Sequence, residues 1–380
     1  MTYDEYRSAL MDVAYLASCA VNSVVPDAQR VADMDLARIY EAAERHLLTG
    51  ITAMALESAG IRDETFTEAE GRAIRKVLLF EVERSVIFEK FSEAGIWHMP
   101  LKGAVLKDLY PKIGMRQMSD NDILIDGTRT DDVRKIMESL GYTFEHSGPV
   151  HDTYYKKPVL NFEMHQTILA PQRNEKIRDY YSNVKDRLLQ DAEDPFSFHF
   201  SDEDFYIFMI AHEWKHYVAG GIGIRSLLDI YVYDQKKGAS LDRDYIRKEL
   251  EVMGIAEFEE INRKLAEHLF SVYGEPEMEL SDEDRKTLDR MLSSGTYGTV
   301  NNRIKGILER QGKRPFARVR YVFRRIFLSG KSIRACYPVF AKYPILLPLL
   351  PFWRIIQALT TKRKAMIAEL KTLRNYKREE

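Results

Sequence analysis

The sequence predicts an α+β fold, a small mixed sheet set between helical regions, and three observations predict it. The first 95 residues carry helical periodicity. From Ile96 the rhythm shifts to short apolar runs separated by the turn signals Gly148-Pro149 and Lys157-Pro158. From Ser201 long helical segments return, with glycines and prolines at the joints. The 380 residues, 45% hydrophobic and 30% charged, suffice for two or three domains with a sizeable core. Four regions are expected: a helical region over 1–95, the sheet core over 96–200, a helical domain over 201–312 and a basic, proline-interrupted helical region over 313–380.

Taken in order, the clearest N-terminal helix is expected from Thr67 to Ala94, where Ile74, Leu78, Val82 and Val86 recur every four positions and Gly95 closes the segment. His46 reads as a surface or packing histidine. Ile96–Leu101 reads as a strand feeding a turn at Gly103, Ala104–Tyr110 as a short helix stopped by Pro111, and Ser119–Asp126 as the second strand. Thr130–Leu140 reads as a helix capped by Gly141. Strands are then expected at Tyr142–Glu145, His151–Lys156 and Val159–Gln166. Helices follow at Ser201–Ala219, Ile224–Lys237, Asp242–Met253, Ala256–Val272 and Ser281–Leu292, with Ser201 and Asp204 spaced as in a capping box. Arg225 and Asp229, four apart, are expected to pair along their helix.

Composition narrows the class of function. Cys19 and Cys336 belong to no CxxC pattern, so neither a zinc ribbon nor a disulfide framework is indicated, and a reducing, cytoplasmic setting is expected. The first residues lack the basic start of a secretory signal. No apolar run is long enough to span a bilayer, and the longest candidate, Tyr343–Trp353, is cut by Pro344, Pro348 and Pro351. The net charge of −2 hides an asymmetry: from Arg303 onward there are about 20 Lys/Arg against about 4 Asp/Glu. There basic residues alternate with aromatics (Arg318, Arg320, Tyr321, Phe323, Arg324, Arg325, Phe327), and a basic helix is expected from Thr361 to Tyr376. An anionic membrane surface or nucleic acid is the expected partner of residues 313–380, and docking onto the acidic remainder of the chain is the alternative.

One stretch reads as a site: LKGAVLKDLYPKIGMRQMSDNDILID, Leu101–Asp126. Asp120 and Asp122, two apart in an extended segment, project to the same side, and carboxylates so close repel unless a cation lies between them. A divalent metal is the economical reading; a solvated Ser-Asp-Asn-Asp strand entry competes with it. Glu163 and His165 are again two apart, and if their strand lies beside that of Asp120 and Asp122, Glu163 completes a three-carboxylate cluster. His165 is read either as a packing residue or as a contact on the acceptor side.

The combination L-K-G, Y-P, R-x-x-S-D-x-D-I-L-I, E-x-H, then H-x-x-K-H and R-S-L-L-D-I over about residues 85–240 resembles a largely uncharacterised bacterial nucleotidyltransferase-like family within the polymerase-beta-like superfamily. The resemblance implies a nucleotidyltransferase-fold core and Mg²⁺-dependent transfer of a nucleoside monophosphate from an NTP, with ATP the expected donor and Mn²⁺ an alternative ion. It implies that Asp120, Asp122 and Glu163 bind two metal ions, with Glu163 also helping to deprotonate the acceptor hydroxyl. Gly103 would let the backbone approach the phosphates at a helix N-terminus, and Lys102 and Arg116 would supply positive charge to the departing pyrophosphate. His212, Lys215 and His216 would line the cleft. Asn121 stands where that family usually places an apolar residue.

HEWKH, His212–His216, is also a literal H-E-x-x-H, which suggests a zinc peptidase with Glu213 as general base, although no third ligand follows in register. A third reading is a catalytically silent nucleotide-binding or scaffold protein that acts through its basic tail.

Overall fold

Side-chain caps open the N-terminal helices where the sequence supplies Thr or Asp. Thr2 and Glu5 form a reciprocal capping box at the start of α1 (Tyr3–Val21). Asp27, Asp35 and Asp63 accept from the backbone at the starts of α2 (Ala28–Ala32), α3 (Leu36–His46) and α5 (Glu64–Glu93), and α4 (Thr49–Ser58) lies between the last two. The computed structural model describes residues 1–148, 150–168, 175–271, 280–296, 317–328 and 342–360, with isolated positions between 304 and 373. They divide into two compact units: Met1–Lys215 with Gly223–Thr296, and His216–Ile222 with Tyr297–Glu380.

In the first unit α5 buries Phe66, Ala69, Ala73, Val77, Phe80, Arg84, Ile87 and Phe91, spaced by a mixture of threes and fours. The expected stripe fails here: Leu78, Val82 and Val86 are 47%, 65% and 38% exposed. A strict four-residue repeat advances 400° per step and walks off any one face, whereas mixed threes and fours stay on it.

The sheet has five strands: β1 (His98–Pro100), β2 (Asn121–Ile125), β3 (Thr143–Ser147), β4 (His151–Lys156) and β5 (Leu160–His165). Their order is β1-β2-β5-β4-β3, with β2 and β5 parallel and the other neighbours antiparallel. Helix α6 is one turn, Gly103–Leu106, and α7 spans Thr130–Ser139. Ile123, Ile125, Phe162 and Met164 pack with Val77, Phe80, Ile87 and Phe91 of α5 and Val133 and Met137 of α7. Each such side chain contributes roughly 1.5–3 kcal/mol by leaving water. Because side chains alternate along a strand, the residues between these apolar positions face away from α5 and α7.

After α8 (Glu175–Tyr180) and the two-stranded β6–β7 pair (Leu189–Gln190, Phe198–His199) come α9 (Asp202–Ala219), α10 (Arg225–Lys237), α11 (Arg243–Met253), α12 (Ala256–Phe270) and α13 (Asp282–Leu292). The N-terminal helices pack against this later set. Ser18 Oγ donates to Phe270 O at 2.8 Å, and Tyr231 Oη donates to Asn22 Oδ1 at 2.8 Å. His46 is fully buried, as a packing histidine, and its Nδ1 accepts from Ile224 N at 3.1 Å.

In the second unit a helix spans Ala317–Ile326, a 3-10 segment spans Pro344–Leu349, and a helix spans Leu350–Thr360. Arg325 pairs with Glu369 at 2.9 Å. Most of the expected basic helix over 361–376, the side chains of Arg318 and Arg324, and Cys336 lie outside the described residues. Among the described residues no helix is long and apolar enough to cross a membrane.

Candidate active site

The parallel pairing of β2 with β5 sets Asp122 directly opposite Glu163, and Leu124 opposite His165. Opposed residues share a face, so Asp122, Glu163 and His165 project together from the side of the sheet that α5 and α7 leave uncovered. Asp122 is 4% exposed, and both its partners reach Oδ1: Lys102 Nζ donates at 2.8 Å and His165 Nε2 stands at 2.7 Å. Asp120 lies one residue before β2 and is half-buried.

The electrostatics of this cluster are those of crowded carboxylates. Burial, the charge of Asp122 and then that of Glu163 push the Asp120 carboxyl up to about 6, against the opposing pull of Lys102. Burial would also raise Asp122, but the Lys102 ammonium and His165 more than offset it and hold this carboxyl well below its usual range. Burial would lower Lys102, and the charges of Asp122 and Asp120 hold it above its usual value instead. Lys102 has φ +47° and ψ −113°, a backbone conformation that non-glycine residues adopt at a cost of about 1–3 kcal/mol and that is found mainly at functional sites.

Arg116 and Gly103 are placed differently from expectation. Arg116 is 6% exposed, and its Nε and Nη2 donate to Asp229 Oδ1 and Oδ2 at 2.8 and 2.9 Å. Tyr110 Oη donates to the same carboxylate at 2.7 Å. The guanidinium thus faces α10 rather than a pyrophosphate. A Cβ built on Gly103 would meet Arg116 Nη1, so the missing side chain makes room for this buried arginine. With α6 only one turn long, the dipole expected at Gly103 is correspondingly slight.

The expected Arg225–Asp229 pair gives way to Arg116–Asp229. Arg225 Nη1 donates to Gln117 O at 3.1 Å, and its charge acts on Asp120. The loop before β2 is tied further through Gln117 Oε1, which accepts from Thr49 Oγ1 and Gly50 N at 3.1 and 3.0 Å, and through Lys76 Nζ, which donates to Ser119 O at 2.8 Å.

Sequence reasoning missed His151 as a site residue. The β4–β5 hairpin puts His151 opposite His165, and its Nε2 lies 3.4 Å from Glu163 Oε2. The signal was present: pairing counted outward from the Lys157-Pro158 turn, Lys156 with Leu160, arrives at His151 with His165. Asn121, opposite Phe162 on the other face, is fully buried with neither side-chain polar atom hydrogen-bonded.

His212 and Lys215 lie half-buried on α9, the His212 ring 6.1 Å from that of Phe208, and His216 begins the segment that belongs to the second unit. The zinc-peptidase reading is not supported. Glu213, its required base, is buried, and its carboxyl is pushed well up by burial and by the charge of Asp229. Among the described residues the group able to share one ion is His151, Glu163 and His165; neither His212 with His216 nor the expected trio of Asp120, Asp122 and Glu163 forms such a group.

A mixed five-stranded sheet, backed by helices on one face and carrying its carboxylates on the other, is an α+β fold of nucleotidyltransferase type. The chain belongs to the family described as "Uncharacterised nucleotidyltransferase", which matches residues 32–271. No curated protein and no solved structure matches it.

Proposed function

We propose that the chain transfers a nucleoside monophosphate from an NTP, ATP being the expected donor, to a hydroxyl of an acceptor, with Mg²⁺ or Mn²⁺ held by Asp120, Asp122 and Glu163. The observation that carries this reading is the register of β2 against β5, which sets Glu163 beside Asp122, two residues from Asp120. Carboxylates are the donors a hard divalent cation takes, and burial together with the charges of Asp122 and Glu163 lifts Asp120 while no ion is bound. Such an ion, when bound, would neutralise phosphate charge and polarise the phosphorus under attack.

The chain's own side chains divide the remaining work. Lys102, held by its backbone beside Asp122, supplies a cation to the phosphates, and Arg225 adds positive charge near Asp120. Glu163, half-buried, accepts the proton of the acceptor hydroxyl. Arg116 acts as a positioning residue, fixing the Lys102-Gly103 turn from below. His212 and Lys215, on α9, are assigned to contacts with phosphate or acceptor.

Incubation with α-labelled NTPs, Mg²⁺ and fractionated cell extract is expected to move label onto an acceptor with release of pyrophosphate, and Glu163→Gln is expected to abolish the transfer. Label moved equally well by that variant contradicts the assignment of Glu163. Nucleotide binding without transfer, in every fraction, favours the silent scaffold instead.

A second proposal concerns the partner of the C-terminal region. Ile345, Phe352, Trp353 and Ile356 are 86%, 67%, 51% and 54% exposed on a segment embedded in strongly basic sequence. Exposed aliphatic side chains such as Ile345 and Ile356 amid lysine and arginine suit an anionic membrane surface, whose apolar layer can receive them, better than nucleic acid, which stacks on aromatics alone.

A further inference from the structure

We propose that His151, Glu163 and His165 form a binding site for a first-row divalent transition ion, of the Zn²⁺ or Mn²⁺ class, in preference to Mg²⁺. The three side chains come from the two antiparallel strands β4 and β5, where His151 stands opposite His165 and Glu163 lies two residues earlier on the same face. His151 Nε2 and His165 Nε2 are 3.4 and 3.5 Å from Glu163 Oε2, and the three ligand atoms all lie within 4.8 Å of one another. Ligands about 2.0–2.2 Å from a tetrahedral ion stand roughly 3.3–3.6 Å apart. The two separations from Glu163 to the histidines are therefore those of edges of a coordination tetrahedron. Asp122 Oδ1, 2.7 Å from His165 Nε2, is its hydrogen-bond partner in the ion-free site, and an ion bound to that nitrogen would take the place of the shared proton.

Three further features favour an ion at this place. Among the described residues Glu163 pairs only with the two histidines, so no lysine or arginine competes for its oxygens. The His165 side chain is 3% exposed and fixed on the ladder, whereas that of His151 is 31% exposed, which leaves a route in and an open coordination position. Imidazole nitrogen is a borderline ligand that suits zinc, with Mn²⁺ the weaker binder among first-row ions; Mg²⁺ takes oxygen donors in a strict octahedron. The inference stands on ligand geometry and does not require the transfer reaction. Where that reaction holds, Glu163 belongs to both sites, and an ion here fixes its orientation.

The test uses the full chain, stripped with chelator and titrated with Zn²⁺ and with Mn²⁺ in excess Mg²⁺ and without nucleotide. One equivalent of transition ion is expected to bind, and pulsed electron paramagnetic resonance of the Mn²⁺-loaded protein is expected to show couplings to imidazole nitrogen. His151→Ala, at a partly exposed position, is expected to weaken binding about tenfold or more. Asp120→Ala is expected to keep the equivalent of Zn²⁺ while losing nucleotide binding, so failure here and failure of the transfer reading are separable. No stoichiometric ion in the presence of Mg²⁺, no nitrogen coupling, or undiminished binding in His151→Ala would each overturn the proposal and leave the histidines as hydrogen-bond donors to the carboxylates.

Discussion

His46 shows how one residue ties distant parts of the chain together and gives the fold a pH dependence. Ile224 N–H donates to its Nδ1, which puts the ring proton on Nε2, 2.9 Å from Tyr6 Oη. Burial, helped by the charges of Arg225 and Arg45, pushes its pKa down to about 3. An unfolded histidine titrates near 6.5. Between these values the unfolded chain binds the extra proton, so stability is full above about pH 6.5 and falls as the pH drops through this window, by about 1.4 kcal/mol per pH unit for this group. Denaturant unfolding of the wild type and of His46→Gln at several pH values between 7 and 5 is expected to show a steeper loss in the wild type. Equal slopes would contradict the buried, neutral assignment.

At the scale of elements, the loop between α6 and β2 is held by α10 through the buried Arg116–Asp229 pair. Asp229→Ala leaves the guanidinium and the Tyr110 hydroxyl without their partner, and the expected loss is about 3–5 kcal/mol in a denaturation experiment. A loss under about 1 kcal/mol, the range of an exposed pair, would contradict the burial described. Little of this was legible in the sequence, because Asp229 lies 113 residues from Arg116 and an i to i+4 arginine offered a nearer partner. The strands were legible, since glycine and proline punctuate them and each apolar run is short. So was the neighbourhood of Glu163 and Asp122, which needed only two strands to pair in parallel. The buried face of α5 was misread because an exposed Leu78, Val82 and Val86 mimic a stripe when only one spacing is followed. His151 was missed because a lone histidine at a strand start carries no signal until the hairpin register is counted from its turn.

At the scale of the whole molecule, charge is segregated along the chain: the last fifth is strongly basic and the remainder acidic. Sedimentation of the full chain with vesicles containing phosphatidylserine, with neutral phosphatidylcholine vesicles and with RNA addresses the partner of the C-terminal region. Binding to the anionic vesicles is expected to exceed binding to neutral ones, to weaken with salt, and to fall in Phe352→Glu/Trp353→Glu. RNA binding that the double variant retains would favour nucleic acid instead. The family and the fold place the chain among the nucleotidyltransferases, and the candidate site lies where Asp120, Asp122 and Glu163 meet the paired strands β2 and β5. The most direct measurement is a calorimetric titration of the protein with ATP and the other NTPs in Mg²⁺. The wild type is expected to bind at least one NTP in an ion-dependent way that Asp120→Ala/Asp122→Ala loses while remaining folded. Indistinguishable titrations of the two proteins would contradict the assignment of these aspartates to the metal and nucleotide.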